Sequence, residues 1–204
     1  MLIAYNQHRE LVYATASDLK KQKSNRFYCP QCQQAVYVKA RPNGGYYFAH
    51  YQACGSGQRR ERVCKESRTH QLAKQQILQA GHRIGIKVRL EYSLCQGHQI
   101  ADCYYKLDHL ARVIEFQQSP ISCQQIHQRQ GDYERAGLTC LWLYNYQDIK
   151  ETLATAWSRR LIYYQEELGY HRWSYDIRRA AFVLTHHLPL FCRLIQNSYC
   201  SNRL

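Results

Sequence analysis

Residues 99–117 read Gln-Ile-Ala-Asp-Cys-Tyr-Tyr-Lys-Leu-Asp-His-Leu-Ala-Arg-Val-Ile-Glu-Phe-Gln. Two runs rich in apolar and aromatic residues, 99–105 and 111–117, flank a polar break at Asp108-His109, the pattern of a β-hairpin. A two-residue turn at Asp108-His109 pairs positions whose numbers sum to 217, which sets Asp102 opposite Glu115. Opposed residues of an antiparallel pair share a face with Cβ atoms about 4.5–5.5 Å apart, near enough for both carboxylates to hold one Mg²⁺ or Mn²⁺ ion. Gln117, two residues on, shares that face. The plain alternative is a pair of exposed strand acids, but Asp against Glu repels unless a cation lies between them. Carboxylates with a divalent cation are the equipment of phosphodiester hydrolysis, where the metal activates water and neutralises charge developing on the phosphate.

Working outward, residues 65–80 carry Leu72, Ala73, Ile77 and Ala80 at helical spacing, with Gly81 as the expected stop. Glu66, His70 and Lys74 fall at i, i+4 and i+8 on the other side, one stripe along the helix. A strand is expected at 84–90. Beyond the hairpin, a helix over 121–136 precedes an apolar strand at 138–143. The order is α-β-β-β-α-β, an α/β fold. Arg129 and Tyr133 are i, i+4 neighbours on the second helix, open either to a DNA phosphate or to supporting the strand ends.

Upstream lies Cys29-Pro30-Gln31-Cys32, whose two-residue spacing lets two thiolates from one turn grip a single zinc ion. Expected strands at 35–40 and 46–49, joined through Asn43-Gly44-Gly45, deliver His50, with Cys54 following. Cys29, Cys32, His50 and Cys54 would close a tetrahedral, structural zinc site, with Cys64 the rival for the fourth place. Around this knuckle Lys20, Lys21, Lys23, Arg26, Lys39, Arg41, Arg59, Arg60 and Arg62 alternate with Tyr28, Tyr37, Tyr46 and Tyr47. Arginine with aromatic rings can hold phosphates and stack on bases; a solvated basic face with tyrosines packing a hairpin is the alternative. Cys95, Cys103, Cys123, Cys140, Cys192 and Cys200 lack ligand spacing and read as small buried hydrophobes.

After Asp148 the spacing suggests helices, one running through Leu153, Ala156, Trp157, Leu161, Ile162 and Tyr164, another over 175–195 that Pro189 should bend or end. The 204 residues carry a net charge of +13, distributed as +7 over 1–64, +2 over 65–148 and +4 over 149–204. Acids are concentrated between two basic parts, as suits a carboxylate site between surfaces that hold a polyanion. At 45% hydrophobic residues with 18 Tyr and only 4 Pro, the chain is not a disordered one. No window is apolar enough for a membrane span and no basic flank precedes a long apolar stretch at the N-terminus, so a cytoplasmic protein with reduced thiols is expected.

These residues resemble the competence protein CoiA family, whose nuclease-like domain belongs to the PD-(D/E)XK superfamily. The matching elements are Cys29-Pro30-x-Cys32, Phe48-Ala49-His50, Glu66-Ser67-x-x-His70-x-x-x-Lys74, Ala101-Asp102, Ile114-Glu115-Phe116-Gln117-x-Ser119-x-Ile121 and Arg129-x-x-x-Tyr133, in that order from about residue 25 to about residue 145. The resemblance implies a restriction-endonuclease-like core, a zinc-finger-like N-terminal part and a role in processing incoming DNA for recombination during natural transformation. It makes Asp102 and Glu115 the Mg²⁺ or Mn²⁺ ligands, adds Glu66 to the acidic cluster, and extends DNA contact to Gln118, Ser119, Arg129 and Tyr133. Gln117 stands where most of the superfamily has Lys, so Lys74 or His70 is the expected source of the missing positive charge or proton transfer. The expected organisation is a zinc-binding module at 1–63, a nuclease domain at 64–148 and a helical extension at 149–204. A non-catalytic DNA-binding adapter for recombination proteins is the second reading, favoured by Gln117. A zinc-dependent RNA-binding protein is a third, which leaves the carboxylate hairpin unexplained.

Overall fold

The computed structural model describes residues 1–14, 19, 26–30, 32–42, 44–51, 67–94, 99–148 and 156–188. The chain divides into two compact units, Met1–Gln71 and Leu72–Leu204. In the first, strands β1 (Ile3–Tyr5), β2 (Leu11–Tyr13), β3 (Phe27–Tyr28), β4 (Ala35–Ala40) and β5 (Tyr46–His50) form a sheet in the order β2-β1-β3-β4-β5, each pair antiparallel. Its core gathers Leu2, Ala4, Phe27, Val36 and Phe48, with the Phe27 and Phe48 rings 5.1 Å apart. The β4–β5 hairpin turns through Gly44 and Gly45, both at positive φ (88° and 84°), a conformation in which a Cβ would be strained.

The second unit is a sheet in the order β10-β11-β9-β8-β7-β6, with β12 also paired to β11. Its strands are β6 (Val88–Ser93), β7 (Ile100–Leu107), β8 (Leu110–Gln117), β9 (Thr139–Asn145), β10 (Tyr163–Gln165), β11 (Gly169–Asp176) and β12 (Ala181–Thr185). Helix α1 (Arg68–Arg83) precedes β6, α2 (Cys123–Arg135) joins β8 to β9, and the short α3 (Ala156–Arg159) follows β9. The run α1-β6-β7-β8-α2-β9 has the expected element order. The β7–β8 hairpin has the expected register, from Leu107↔Leu110 to Cys103↔Ile114. Its turn is eased by Asp108 at φ 52°, a left-handed position that Asp tolerates.

The two longer helices pack on opposite faces. Tyr104 lies across from Val113 and Tyr105 across from Val88, and successive strand residues point to opposite sides. Val113 belongs to the α2 side, where Ile126 and Tyr133 of the helix pack with Cys140, Trp142 and Tyr144. Val88 belongs to the α1 side, where its methyl group lies 2.4 Å from where a Cβ on Gly81 would be. Gly81 is therefore a point of close helix–strand approach rather than the stop. The helix continues to Arg83, and the chain turns at Gly85 (φ 75°).

Two further expectations are corrected. The first concerns the face of α1: Ala73, Lys74, Ile77, Leu78 and Gly81 are buried, while Leu72 is exposed. Lys74 thus lies on the packed face and not on an outer stripe. The second concerns the C-terminal part, where 163–165, 169–176 and 181–185 are strands, not helices, and β11 extends the sheet parallel to β9 (Ser174↔Tyr144). Asp176 explains the reversal in place of a helix start: its carboxylate accepts from the backbone N–H groups of Arg178 and Arg179 at 2.9 and 3.2 Å, building a turn that closes the β11–β12 hairpin. The expected bend at Pro189 lies outside the described residues.

Candidate functional site

Among the described residues, two groups of side chains carry chemistry, one in each unit. In the second unit the hydrogen-bonded ladder of β7 and β8 ends at Cys103↔Ile114. At the next position Asp102 accepts from the Phe116 backbone N–H at 2.8 Å. The carboxylate closes the fork between the separating strands, where a backbone donor would otherwise lose its partner.

Glu115, one step along β8, is only 3% exposed. Its carboxylate accepts from Arg129 Nη2 at 2.5 Å and from the Tyr133 hydroxyl. Both donors project from α2, whose start is fixed by the Ser122–Gln125 capping box, and their i, i+4 spacing brings them to one side of the helix. Arg129 also lies over the Trp142 ring at 5.5 Å, and the Gln99 amide is 2.9 Å from the Tyr133 hydroxyl. With its oxygen turned to α2, that amide accepts from Arg129 Nε at 2.6 Å. Burial drives the Glu115 pKa up to about 7; Arg129 opposes the shift, nearby Asp102 adds to it, and the Tyr133 hydrogen bond opposes it. Burial alone would lower the pKa of Arg129, but Glu115, Tyr133 and Asp102 together outweigh it, raise the pKa and hold the guanidinium charged. Burial and the same carboxylate raise that of Tyr133. The result is a buried acid near Asp102 with strong donors locked on one oxygen.

The remaining expected residues divide. Gln117 is half-buried and donates through its amide to the Ser119 carbonyl oxygen. Gln118 is half-buried and Ser119 exposed, just beyond β8. Tyr133 is fully buried, so its expected contact with DNA is replaced by support of Glu115; Arg129 supports Glu115 too, yet keeps 23% of its side chain exposed. Lys74, expected to bring charge to the carboxylates, is buried and meets Glu91 at 3.1 Å, with side chains 3% and 7% exposed. The backbone N–H of His70 donates to the Ser67 hydroxyl, which caps α1. Glu66 lies outside the described residues.

Glu91 was missed by sequence reasoning. The β6–β7 ladder pairs Leu90↔Cys103 and Tyr92↔Ala101 and skips the position between them, Glu91 against Asp102. No two-residue turn joins β6, which ends at Ser93, to β7, which begins at Ile100, so their register could not be counted as it was for the hairpin. Glu91 sits at φ 50°, a left-handed conformation costly for a glutamate inside a strand. Gln99 was missed as well, and no local pattern announces its contact with α2.

In the first unit, ligand atoms of Cys29, Cys32 and His50 all lie within 4.8 Å of one another. Cys32 Sγ is 3.3 Å from His50 Nε2. The knuckle is shaped by reciprocal backbone bonds, Gln33 N–H to the Cys29 carbonyl and Cys29 N–H to the Gln34 carbonyl, both 2.9 Å, with Gln33 at φ 59°. Two thiol sulfurs and an imidazole nitrogen so placed could hold a metal and suit zinc. Cys54 and Cys64, the candidates for a fourth ligand, lie outside the described residues.

Two family models match the chain: the nuclease-like domain of competence protein CoiA over residues 66–201, and the N-terminal domain of competence protein CoiA over residues 11–56. The first runs through the C-terminal strands as well as the hairpin. No curated protein matches. Among solved structures, the chain is similar to an XisH family protein from Nostoc punctiforme, 9% identical with a TM-score of 0.35, over 55% of this chain and 96% of that one.

Proposed function

The chain belongs to the competence protein CoiA family and carries its nuclease-like domain, and from that premise we propose that it is a cytoplasmic, Mg²⁺- or Mn²⁺-dependent DNA nuclease that trims or nicks incoming DNA for recombination. The observation that carries this reading is Glu115, buried beside Asp102 and held on one oxygen by Arg129 and Tyr133. A buried carboxylate with a raised pKa beside a second acid marks a candidate functional site. The donor set is hard carboxylate oxygen, which fits Mg²⁺ or Mn²⁺ and disfavours soft metals. The mutual repulsion of the acids is what a divalent cation would relieve.

A cation held by Asp102 and Glu115 would supply Lewis acidity at the phosphate and a lowered pKa for water. The chain's own residues do the rest. Tyr133 and Arg129 fix the Glu115 rotamer, and Asp102 is anchored by the Phe116 N–H. Gln117, with a neutral amide in place of an ammonium, can orient water but not stabilise an anion. That task falls to Arg129, whose partly exposed guanidinium is joined to Glu115 and always charged. In the first unit, Cys29, Cys32 and His50, completed by Cys54 or Cys64, would hold a structural zinc ion.

The non-catalytic DNA-binding adapter remains the second reading, favoured by Gln117 and by the donors already satisfying Glu115. Cleavage of labelled linear, single-stranded and branched DNA with Mg²⁺ or Mn²⁺ separates the two. A nuclease loses cleavage but keeps binding when Asp102→Ala and Glu115→Ala are combined. Binding by wild type and variant alike, with cleavage by neither, rejects the nuclease and leaves the adapter.

A further inference from the structure

The five-stranded sheet has a face that neither group of ligands uses. On one side Ala4, Phe27, Val36 and Phe48 are buried. On the other, Tyr5 is opposite Tyr28, Tyr28 opposite Ala35, Tyr37 opposite Ala49 and Lys39 opposite Tyr47. Opposed residues and alternate residues of a strand share a face. Tyr5, Tyr28, Tyr37, Lys39 and Tyr47 therefore share one face, on which Lys39 is exposed and the four tyrosines are half-buried. Tyr51 continues it beyond β5; it is 70% exposed, its ring centroid 4.8 Å from that of Tyr37. The Arg41 guanidinium lies 5.5 Å over the Tyr47 ring and is held by the Gln71 side chain. Lys39 and Arg26 are exposed, and none of the five strands contains an acid.

We propose that this sheet face binds single-stranded DNA, with bases stacking on Tyr37, Tyr47 and Tyr51 and phosphates meeting Lys39 and Arg41. The inference rests on the reading of the chain as a DNA-processing protein and adds where, and in which form, the strand is held. Rings rooted in a sheet lose little freedom on binding, and a flat row of them needs unpaired bases, because a duplex keeps its base faces inside the stack. Cations beside the rings, with no acid in the strands, match the charge of the backbone. Arginine over an aromatic ring is the arrangement that adds cation–π attraction to such a platform.

The test is fluorescence anisotropy of the full chain without divalent cation, using labelled oligo-dT, an abasic strand of equal length, oligo-U and a duplex. Oligo-dT should bind at least about tenfold more tightly than the abasic strand, which offers the same phosphates without bases. Tyr37→Leu with Tyr51→Leu should remove that advantage while leaving abasic binding unchanged, and Tyr37→Phe with Tyr51→Phe should retain it. Equal binding of oligo-dT and the abasic strand overturns the proposal, as does tighter binding of the duplex or of oligo-U. So does a folded leucine variant that binds oligo-dT like wild type. Should the leucine variant misfold, the abasic comparison on wild type decides alone. Absence of metal-dependent cleavage would reject the nuclease and leave this comparison intact.

Discussion

At the scale of the residue, Glu115 concentrates the molecule's tension. A carboxylate whose pKa rises to about 7 on folding binds more protons in the folded state than in the unfolded one across the interval from its ordinary value of 4.5 upward. Stability then falls as pH climbs through that window, the reverse of the usual behaviour of a salt-bridged acid. The shift corresponds to about 3 kcal/mol of stability lost between about pH 4.5 and about pH 7. Denaturant unfolding near pH 5 and near pH 8 should show wild type losing more stability on that rise than Glu115→Gln, which has nothing to titrate there. Parallel pH curves for the two proteins would remove the buried acid from the account. Arg129 opposes the shift, so Arg129→Gln should extend the falling limb above pH 7. The role of Arg129 and Tyr133 was half legible in the sequence. Their i, i+4 spacing puts them on one side of a helix, but that the side faces Glu115 depends on how α2 lies on the sheet, which no local pattern encodes.

At the scale of the element, α1 is joined to β6 by the nearly dry Lys74–Glu91 pair. Removing one partner of such a pair leaves an uncompensated buried charge, a loss of about 3–5 kcal/mol, whereas replacing both with apolar groups of similar size is often neutral. Lys74→Met alone should therefore lower the denaturation midpoint sharply, and adding Glu91→Leu should restore much of it. Strictly additive losses would mean that the two residues stabilise independently. The burial of Lys74 was not legible, because a lysine in an amphipathic pattern counts as polar and its partner comes from another element. The hairpin register was legible, since the Asp108-His109 turn fixes it by counting alone. The β11–β12 hairpin was not: Tyr175, Arg178, Arg179 and Phe182 match a helical period by coincidence. The signal to weigh was Asp176, whose carboxylate satisfies two turn N–H groups where a helix would have begun. The burial of β11 on both faces, with His171, Arg172, Ser174, Tyr175 and Asp176 all buried, also depends on packing beside β9, a contact between segments distant in sequence.

At the scale of the whole molecule, the two units differ in how each is stabilised. The second has a continuous apolar core beneath α2, with Trp142, Tyr133 and Tyr144 fully buried. The first, Met1–Gln71, is within the size range where a hydrophobic core alone gives little margin and where metal sites commonly make up the difference. Cys29, Cys32 and His50 bring the knuckle and the end of β5 to one point, so a zinc ion there would tie β3, β4 and β5 together at one end of the sheet. All 3 tryptophans of the chain, Trp142, Trp157 and Trp173, fall in the second unit. Tryptophan fluorescence thus reports on the second unit, while far-ultraviolet circular dichroism reports on both. Purified protein should contain about one zinc per chain, and a strong chelator should remove strand signal and free thiols for titration while the tryptophan-monitored melt stays where it was. Cys32→Ser should reproduce the chelated state without chelator. Well-folded protein with no zinc, or a circular dichroism spectrum indifferent to its removal, would make the cysteines ordinary thiols. The stability of the first sheet would then have to come from the Phe27–Phe48 core alone.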